Sequence, residues 1–522
     1  SGGGALIFRA LASSSMLFLG LFLCCFGGVT ARSPFAGQTY YVNPANQKEY
    51  DTSIATASGA VQVTLTKMRD VPSAYWIDKS DKIRGNSTQC VEGILRDAAS
   101  KPLPELVVLI WYDLPNRDCD AKASNGEICC TKTARGLCDY DAPGDCADGI
   151  AEYKSKYVDE FVSVLVEYKG KVPIIVVIEP DSLPNLASNL GHPHCGNSAT
   201  QAAYHEGVKY AVGQLAEKTD ATLYLDAAHG GWLGWEDNLE KFMKLLKELD
   251  LPFDRMRGFS TNVANYQPLG IMCPWEPDQG YRNGYCLNGK HADKPCCSDP
   301  CKLESQWSPA NNEMNFAQAL TKAAEGMLSW NATVIIDTGR NGVANMRQDC
   351  MNWCNVRGAG AGIASTAETG TPMIDALFWL KTPGESDGCS QELPSGETCR
   401  RYDSMCGSVD SVGTKADEPK APEAGAWFDY QVKMLAANAR MTPAPIPGPP
   451  PPQTPSPPPS PTWPTSLSPL PSPSGSGQCC FGMQGASCLS LHSCQGGRCG
   501  ESQTHCEGSC NGTWCLHLEV VV

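Results

Sequence analysis

The chain reads as an α/β protein: a parallel (β/α) barrel with seven apolar runs for strands, followed by a small disulfide-rich C-terminal module. Three observations lead there. Short, continuously apolar β-rich runs alternate with helical stretches, as in a parallel sheet covered on both faces. Almost every run ends in a polar residue, where the loops of such a barrel converge. Far downstream, the composition collapses into a Pro/Ser/Thr tract before a short segment dense in cysteine.

In chain order the runs are Ala74 to Ile77, Leu106 to Trp111, Ile174 to Ile178, Thr222 to Leu225, Gly258 to Val263, Thr333 to Ile336 and Ala376 to Leu380. Helical partners include Tyr153 to Tyr168, Ala203 to Lys218 and Asn238 to Leu249, each with apolar residues at i, i+3/i+4 spacing. The polar residues at the run ends are Asp78, Asp113, Glu179 with Asp181, Asp226, Asn262 with Asn265, Asp337 and Lys381. Trp111 and Trp379 lie inside runs and are expected in the core.

The 522 residues suffice for one large domain plus an accessory module. A formal net charge of −15 argues against nucleic acid or an anionic membrane as partner and suits a neutral polymer. Arg9, the apolar run Met16 to Val29 and the small residues Val29-Thr30-Ala31 predict a secretory signal over 1–31. That run falls short of the roughly 20 residues a bilayer span needs, so no membrane anchor is expected.

Of the 27 cysteines, Cys24 and Cys25 sit in the signal, eight lie in 478–515 and 17 remain in the main domain, a density that implies an oxidising compartment. Adjacent pairs such as Cys129-Cys130 and Cys296-Cys297, without histidine at ligand spacing, argue against zinc. The odd count leaves one thiol free or paired outside the domain. Sequons at Asn86, Asn331 and Asn511 agree with secretion. Residues 442–476 form an extended Pro/Ser/Thr-rich linker, and the module at 478–522 depends on disulfides for stability.

The chemistry is concentrated in two segments, each a strand ending in aspartate: WYDLPNRDC, with Asp118, and VIEPDSL, with Asp181. Taken singly, either aspartate could merely cap a helix or pair with Arg117. Together they could supply a protonated acid for a glycosidic oxygen and an anion beside the positive charge that develops at the anomeric carbon.

At this point the chain resembles the glycoside hydrolase family 6 cellulases, over roughly residues 40–440. The motifs carrying the resemblance are YDLPNRDC, ASNGE, VIEPDSL, YLDAAHGGWLGW, TNVANY, DTGRNG, WCNVRG, KTPGESDG and AGAWF, in that order. The resemblance implies a distorted parallel (β/α) barrel of about seven strands that cleaves β-1,4-glucan with inversion and needs no cofactor or metal, acting as a secreted monomer on cellulose.

It makes Asp181 the general acid and Asp118 the aspartate that keeps the acid protonated. Tyr112 would press on the distorted sugar, Ser124 would hold the attacking water and Asp387 is the candidate base. Trp76, Trp232, Trp235 and Trp353 would be sugar platforms, while Asp226, His229, Asn265, Lys381 and Glu385 would hydrogen-bond glucose hydroxyls. Cys119 with Cys195, and Cys354 with Cys406, would form disulfides beside the site. Asn116 and Ser386 depart from the common pattern without removing a proposed catalytic group.

Cys129 to Cys146 and Cys273 to Cys301 read as cysteine-braced insertions. The long segment Lys381 to Gly425 favours a roofed site and cellobiose release over an open endoglucanase groove. Mixed-linkage glucan is an alternative substrate, and a non-catalytic glucan-binding wall protein is the rival class. For the C-terminal module, carbohydrate binding is expected ahead of protein interaction or wall anchoring.

Overall fold

The computed structural model describes residues 32–141, 144–302 and 308–442, together with strands at Gly477–Phe481, Ser493–Gln495 and Thr513–Leu516. The expected signal, nearly all of the linker and most of the terminal module lie outside the described residues. The three last strands form an antiparallel sheet with Gly477–Phe481 in the middle.

Seven parallel strands run in sequence order: β1 Tyr75–Ile77, β2 Val107–Trp111, β3 Ile174–Ile178, β4 Thr222–Asp226, β5 Gly258–Thr261, β6 Thr333–Asp337 and β7 Ile374–Phe378. The sheet curls until β1 and β7 approach, but only a single bridge, Ser73 to Trp379, joins these edges.

Alternation along each strand sorts side chains between two cores, since successive residues point to opposite faces. Val108 and Ile110 of β2 join Val177, Tyr224, Ile335 and Phe378 inside the barrel, with Phe35 among them. Val107, Leu109 and Trp111 face the helical layer instead.

β7 starts and stops two residues earlier than the run Ala376 to Leu380 suggests. The amides of Leu380 and Lys381 leave the ladder because they donate to the Asp337 carboxylate, at 3.2 and 3.0 Å. Trp379 is nevertheless fully buried, its indole N–H donating to the Ile363 carbonyl at 3.0 Å.

The helix expected at Tyr153 to Tyr168 is longer and irregular. Ala147–Glu152 leads through a π-helical turn, Tyr153–Val158, into Asp159–Glu167. In the π turn Tyr153 and Tyr157 stack, ring centroids 5.6 Å apart, and both hydroxyls reach the strand ends. Tyr153 accepts from the Trp111 indole and donates to Glu179, each at 2.8 Å. Tyr157 accepts from the Tyr112 amide at 3.0 Å and donates to the Ile77 carbonyl.

Eight disulfides staple the described domain and Cys90 is its free thiol. Both expected pairs, Cys119–Cys195 and Cys354–Cys406, are present. One insertion is braced by Cys129–Cys138 and Cys130–Cys146, the other by Cys273–Cys296 and Cys286–Cys297, with Cys301–Cys350 beyond it.

Candidate active site

A cleft of about 780 Å³ lies over the carboxyl ends of the strands. Its wall includes Asp118, Asp181, Tyr112, Ser124 and Asp387, and also Trp76, Trp232, Trp235, Trp353, His229, Asn265, Lys381 and Glu385. Of the residues the sequence singled out for the site, Asp226 alone is absent from that wall.

The chain turns sharply where β2 and β3 end. Asn116, Asp118, Glu179 and Asp181 all hold left-handed backbone conformations, with φ of 55°, 47°, 48° and 64°. Such angles are costly for side chains other than glycine and persist only where surroundings enforce them. The buried Glu179 carboxylate does so here, accepting the amides of Asp113 and Leu114 at 3.2 and 3.3 Å. Arg117 acts in parallel, donating to the carbonyls of Asp78, Tyr112 and Ser124 at 2.7, 2.6 and 2.9 Å while its guanidinium lies over the Tyr112 ring.

Neither aspartate takes the capping or Arg117-pairing role left open for it. Arg117 pairs with Asp113, at 3.4 Å, rather than with Asp118. Asp181 stands at the N-terminus of the helix Ser182–Ser188, but its side chain makes no capping hydrogen bond. Its carboxyl therefore points to the cleft, while its amide is held at 2.9 Å by Asp226.

Asp118 is differently supplied. Its carboxylate accepts from the Tyr112 hydroxyl and the Asn185 amide, both at 3.3 Å, and the nearby Ser124 hydroxyl favours its ionised form. Burial raises both acids. For Asp118 the result is about 7, with the Ser124 and Tyr112 hydrogen bonds opposing the rise and the charges of Asp120 and Asp403 adding to it. Asp181 is pushed well above the ordinary carboxylate range, first by burial and then by the charges of Asp118 and Asp226. Donors stabilise the ionised form of Asp118 and none reaches the Asp181 side chain, so of the two Asp181 is the more readily protonated.

The remaining groups divide into cleft-facing and supporting residues. Trp76 meets Tyr112 edge-on at 5.1 Å, and the Lys381 ammonium lies 4.9 Å from its ring while pairing with Glu385 at 2.9 Å. Trp232 is fixed by its indole N–H donating to Ser188 at 2.7 Å. His229 is kept neutral, its value lowered to about 3 by burial and by Arg347.

Asp226 is 1% exposed, and its oxygens are taken by the amides of Asp181 and Ala228 and the Ser260 hydroxyl. That places it behind the cleft as a support for Asp181. Asp387 borders the cleft, but one of its oxygens pairs with Arg340 at 2.6 Å. The other accepts from the Tyr266 hydroxyl and the Asn355 amide, both at 2.8 Å.

Two loops meet over this floor. The Lys122 amide donates to Asp403 at 2.8 Å, and Arg401 donates to the Asn125 carbonyl at 3.2 Å. The first loop is tied down by Cys119–Cys195 and the second by Cys354–Cys406. Asn185, Glu179 and Arg340 were not assigned roles from the sequence. Asn185 could have been found from its place one helical turn after Asp181, on the same face.

Comparison with known proteins agrees with this architecture. The profile of the Glycosyl hydrolases family 6 matches residues 35–284 and 293–439. A protein of Aspergillus clavatus named "Probable 1,4-beta-D-glucan cellobiohydrolase C" is 36% identical over 419 residues, covering 79% of this chain and 77% of that one. "Exoglucanase 3" of Agaricus bisporus is 34% identical over 414 residues, covering 78% and 79%. The catalytic core domain of the cellobiohydrolase Cel6A from Chaetomium thermophilum superposes with a TM-score of 0.62 at 30% identity, covering 78% of this chain and 99% of that one. With the profile spanning most of the domain and relatives this similar along most of their own length, the chain belongs to glycosyl hydrolase family 6.

Proposed function

We propose that this glycoside hydrolase is a secreted cellulase that cuts β-1,4-glucosidic bonds with inversion and releases cellobiose from a glucan chain threaded beneath the two loops. The observation that carries the reading is the asymmetric aspartate pair beside two joined loops: Asp181 without a side-chain donor, Asp118 supplied with two.

Asp181 donates its proton to the departing glycosidic oxygen. Asp118, when ionised, opposes ionisation of Asp181 and stabilises the positive charge developing at the anomeric carbon. Tyr112, backed by Arg117 and edged by Trp76, presents a rigid wall to the sugar at the point of cleavage. Ser124, next to Asp118, holds the attacking water on the face opposite the acid, and attack from that face inverts the anomeric centre. Asp387 has both oxygens engaged, so we assign the proton leaving that water to a chain of further waters rather than to direct contact with Asp387. The indoles of Trp76, Trp232, Trp235 and Trp353 offer flat apolar faces for pyranose rings.

The roof supports cellobiose release over random internal cutting. A chain threaded beneath the Lys122–Asp403 and Arg401–Asn125 contacts would be cut near an end. Secretion is supported by the N-terminal pattern and the disulfide content. Among the described residues, no helix is long and apolar enough to cross a membrane. The terminal module, on its Pro-rich tether, would hold the enzyme on insoluble substrate.

The test is incubation of wild type and Asp181→Ala with amorphous cellulose, resolving soluble products over time. Cellobiose dominating from the start and lost in the variant is expected. Mixed cello-oligosaccharides would make the enzyme an endoglucanase, and tight retention without release would leave a glucan-binding protein.

A further inference from the structure

The cleft continues past the residues placed so far. Beside it, on the side of Lys381 and Glu385, lies a second cavity of about 360 Å³, lined by Ala45, Lys48, Glu49, Thr52, Gln89 and Trp427 among others. Ala45, Glu49, Ser87 and Gln89 line both cavities, so the two adjoin.

Contacts order the side chains along this path. Tyr112 touches Trp76, Trp76 lies against Lys381, and Lys381 pairs with Glu385. The backbone of Glu385 pairs with that of Trp427. Trp427 is half-buried and fixed in place. Its indole N–H donates to Ser53 at 2.9 Å, and Tyr50 meets it edge-on at 4.9 Å. The cavity thus repeats the composition of the cleft before it, one immobilised indole flanked by groups that exchange hydrogen bonds. Glu49 is pushed up to about 7 by burial, then by the charge of Glu385, against Lys381, so in mildly acidic solution it donates as well as accepts.

We propose that the second cavity is a further glucosyl-binding place, where one more unit of a β-1,4-glucan packs on Trp427 and hydrogen-bonds Glu49 and Gln89. This rests on the glucan-hydrolase reading above. Trp76 lies on the side of this cavity, and Trp232 and Trp235 line the cleft as well. In this proposal the Trp76 side is the one that holds the released product. A third unit seated there makes the product a trisaccharide, so the enzyme releases cellotriose beside cellobiose.

The test uses the full chain and cellohexaose, whose symmetric cleavage to two trisaccharides requires three units in the product arm. Initial trisaccharide and disaccharide rates are compared for wild type, Trp427→Ala and Thr52→Arg. Thr52 is exposed on the helix Pro44–Ile54, so its replacement fills the cavity without touching the core. The expected result is trisaccharide as a minor early product of wild type, with its ratio to disaccharide reduced about tenfold in each variant, the scale of losing one apolar ring contact. Should Trp427→Ala fail to fold, Thr52→Arg alone decides. A ratio unchanged by the variants, or no trisaccharide from wild type that still makes disaccharide, overturns the proposal and leaves the hydrolase reading standing. No hydrolysis of any glucan by wild type removes the reading itself.

Discussion

Asp118→Asn gives the sharpest prediction, because it changes one charge beside the acid and little else. The charge of Asp118 is the largest cause of the raised Asp181 value after burial. Two unit charges about 6 Å apart, the outer range of strong mutual shifts, interact by about 3 kcal/mol at an effective dielectric of about 20. At about 1.4 kcal/mol per unit, that is about two pKa units. The sign follows from the role of the acid. Asp181 must be protonated to act, and removing a neighbouring negative charge makes its ionised form cheaper, so the proton is lost at lower pH. The alkaline limb of kcat/KM on a soluble cello-oligosaccharide should therefore move about two pH units towards acid. The maximal rate should fall as well, since the transition state loses a stabilising anion. An alkaline limb that stays in place, or moves upward, would refute the assignment of the proton to Asp181.

Other outcomes are expected. Trp232→Ala should raise KM for cello-oligosaccharides about tenfold or more with the unfolding midpoint nearly unchanged, a split read from steady-state kinetics beside calorimetry. Replacing both Cys354 and Cys406 with alanine releases a loop of sequence separation 52, worth about 4 kcal/mol by chain entropy. The loosened roof should also speed viscosity loss of a soluble cellulose derivative, the sign of internal cuts. Arg340→Met would strand Asp387, only 8% exposed, and cost about 3–5 kcal/mol in denaturant unfolding.

Stability should also be higher at pH 5 than at pH 8. Burial raises Glu179 and Glu313 to about 7 and Asp337 to about 6, so between about 4 and 7 the folded state binds more protons than the unfolded, and stability falls as pH rises. His229, lowered to about 3, acts oppositely below about 6.5, but as one group against three. A midpoint higher at pH 8 would contradict this sum.

Sequence and structure agree most closely where the information is local. The apolar runs forecast all seven strands because a strand buried on both faces has little choice of residues. They misplaced β7 because its end is decided by a carboxylate from the neighbouring strand, Asp337, which no periodicity reveals. The π turn was equally invisible, as one extra residue hardly disturbs an i, i+3/i+4 pattern. Within the site, Asp118, Asp181, Tyr112 and Ser124 could be read from their motifs. The motifs did not distinguish a side chain facing the cleft from one facing inward, so Asp226 was grouped with the sugar-binding residues although it holds the Asp181 amide. The roof was legible only as length. Lys122 and Asp403 are 281 residues apart, and their contact depends on two independently braced loops.

The π turn has a consequence for which changes of length the domain tolerates. Deleting one residue from Tyr153–Val158 would heal the helix and improve its own backbone bonding. It would also rotate one half against the other by about 100°, one residue's share of a turn. Tyr153 and Tyr157 could then no longer both reach Glu179 and the Tyr112 amide, although neither touches the cleft. A shortening that makes the helix more ideal thus removes the support beneath both aspartate loops. The irregular turn works as a spacer that sets the phase between the outer layer and the barrel, and substitutions there should be far better tolerated than insertions or deletions.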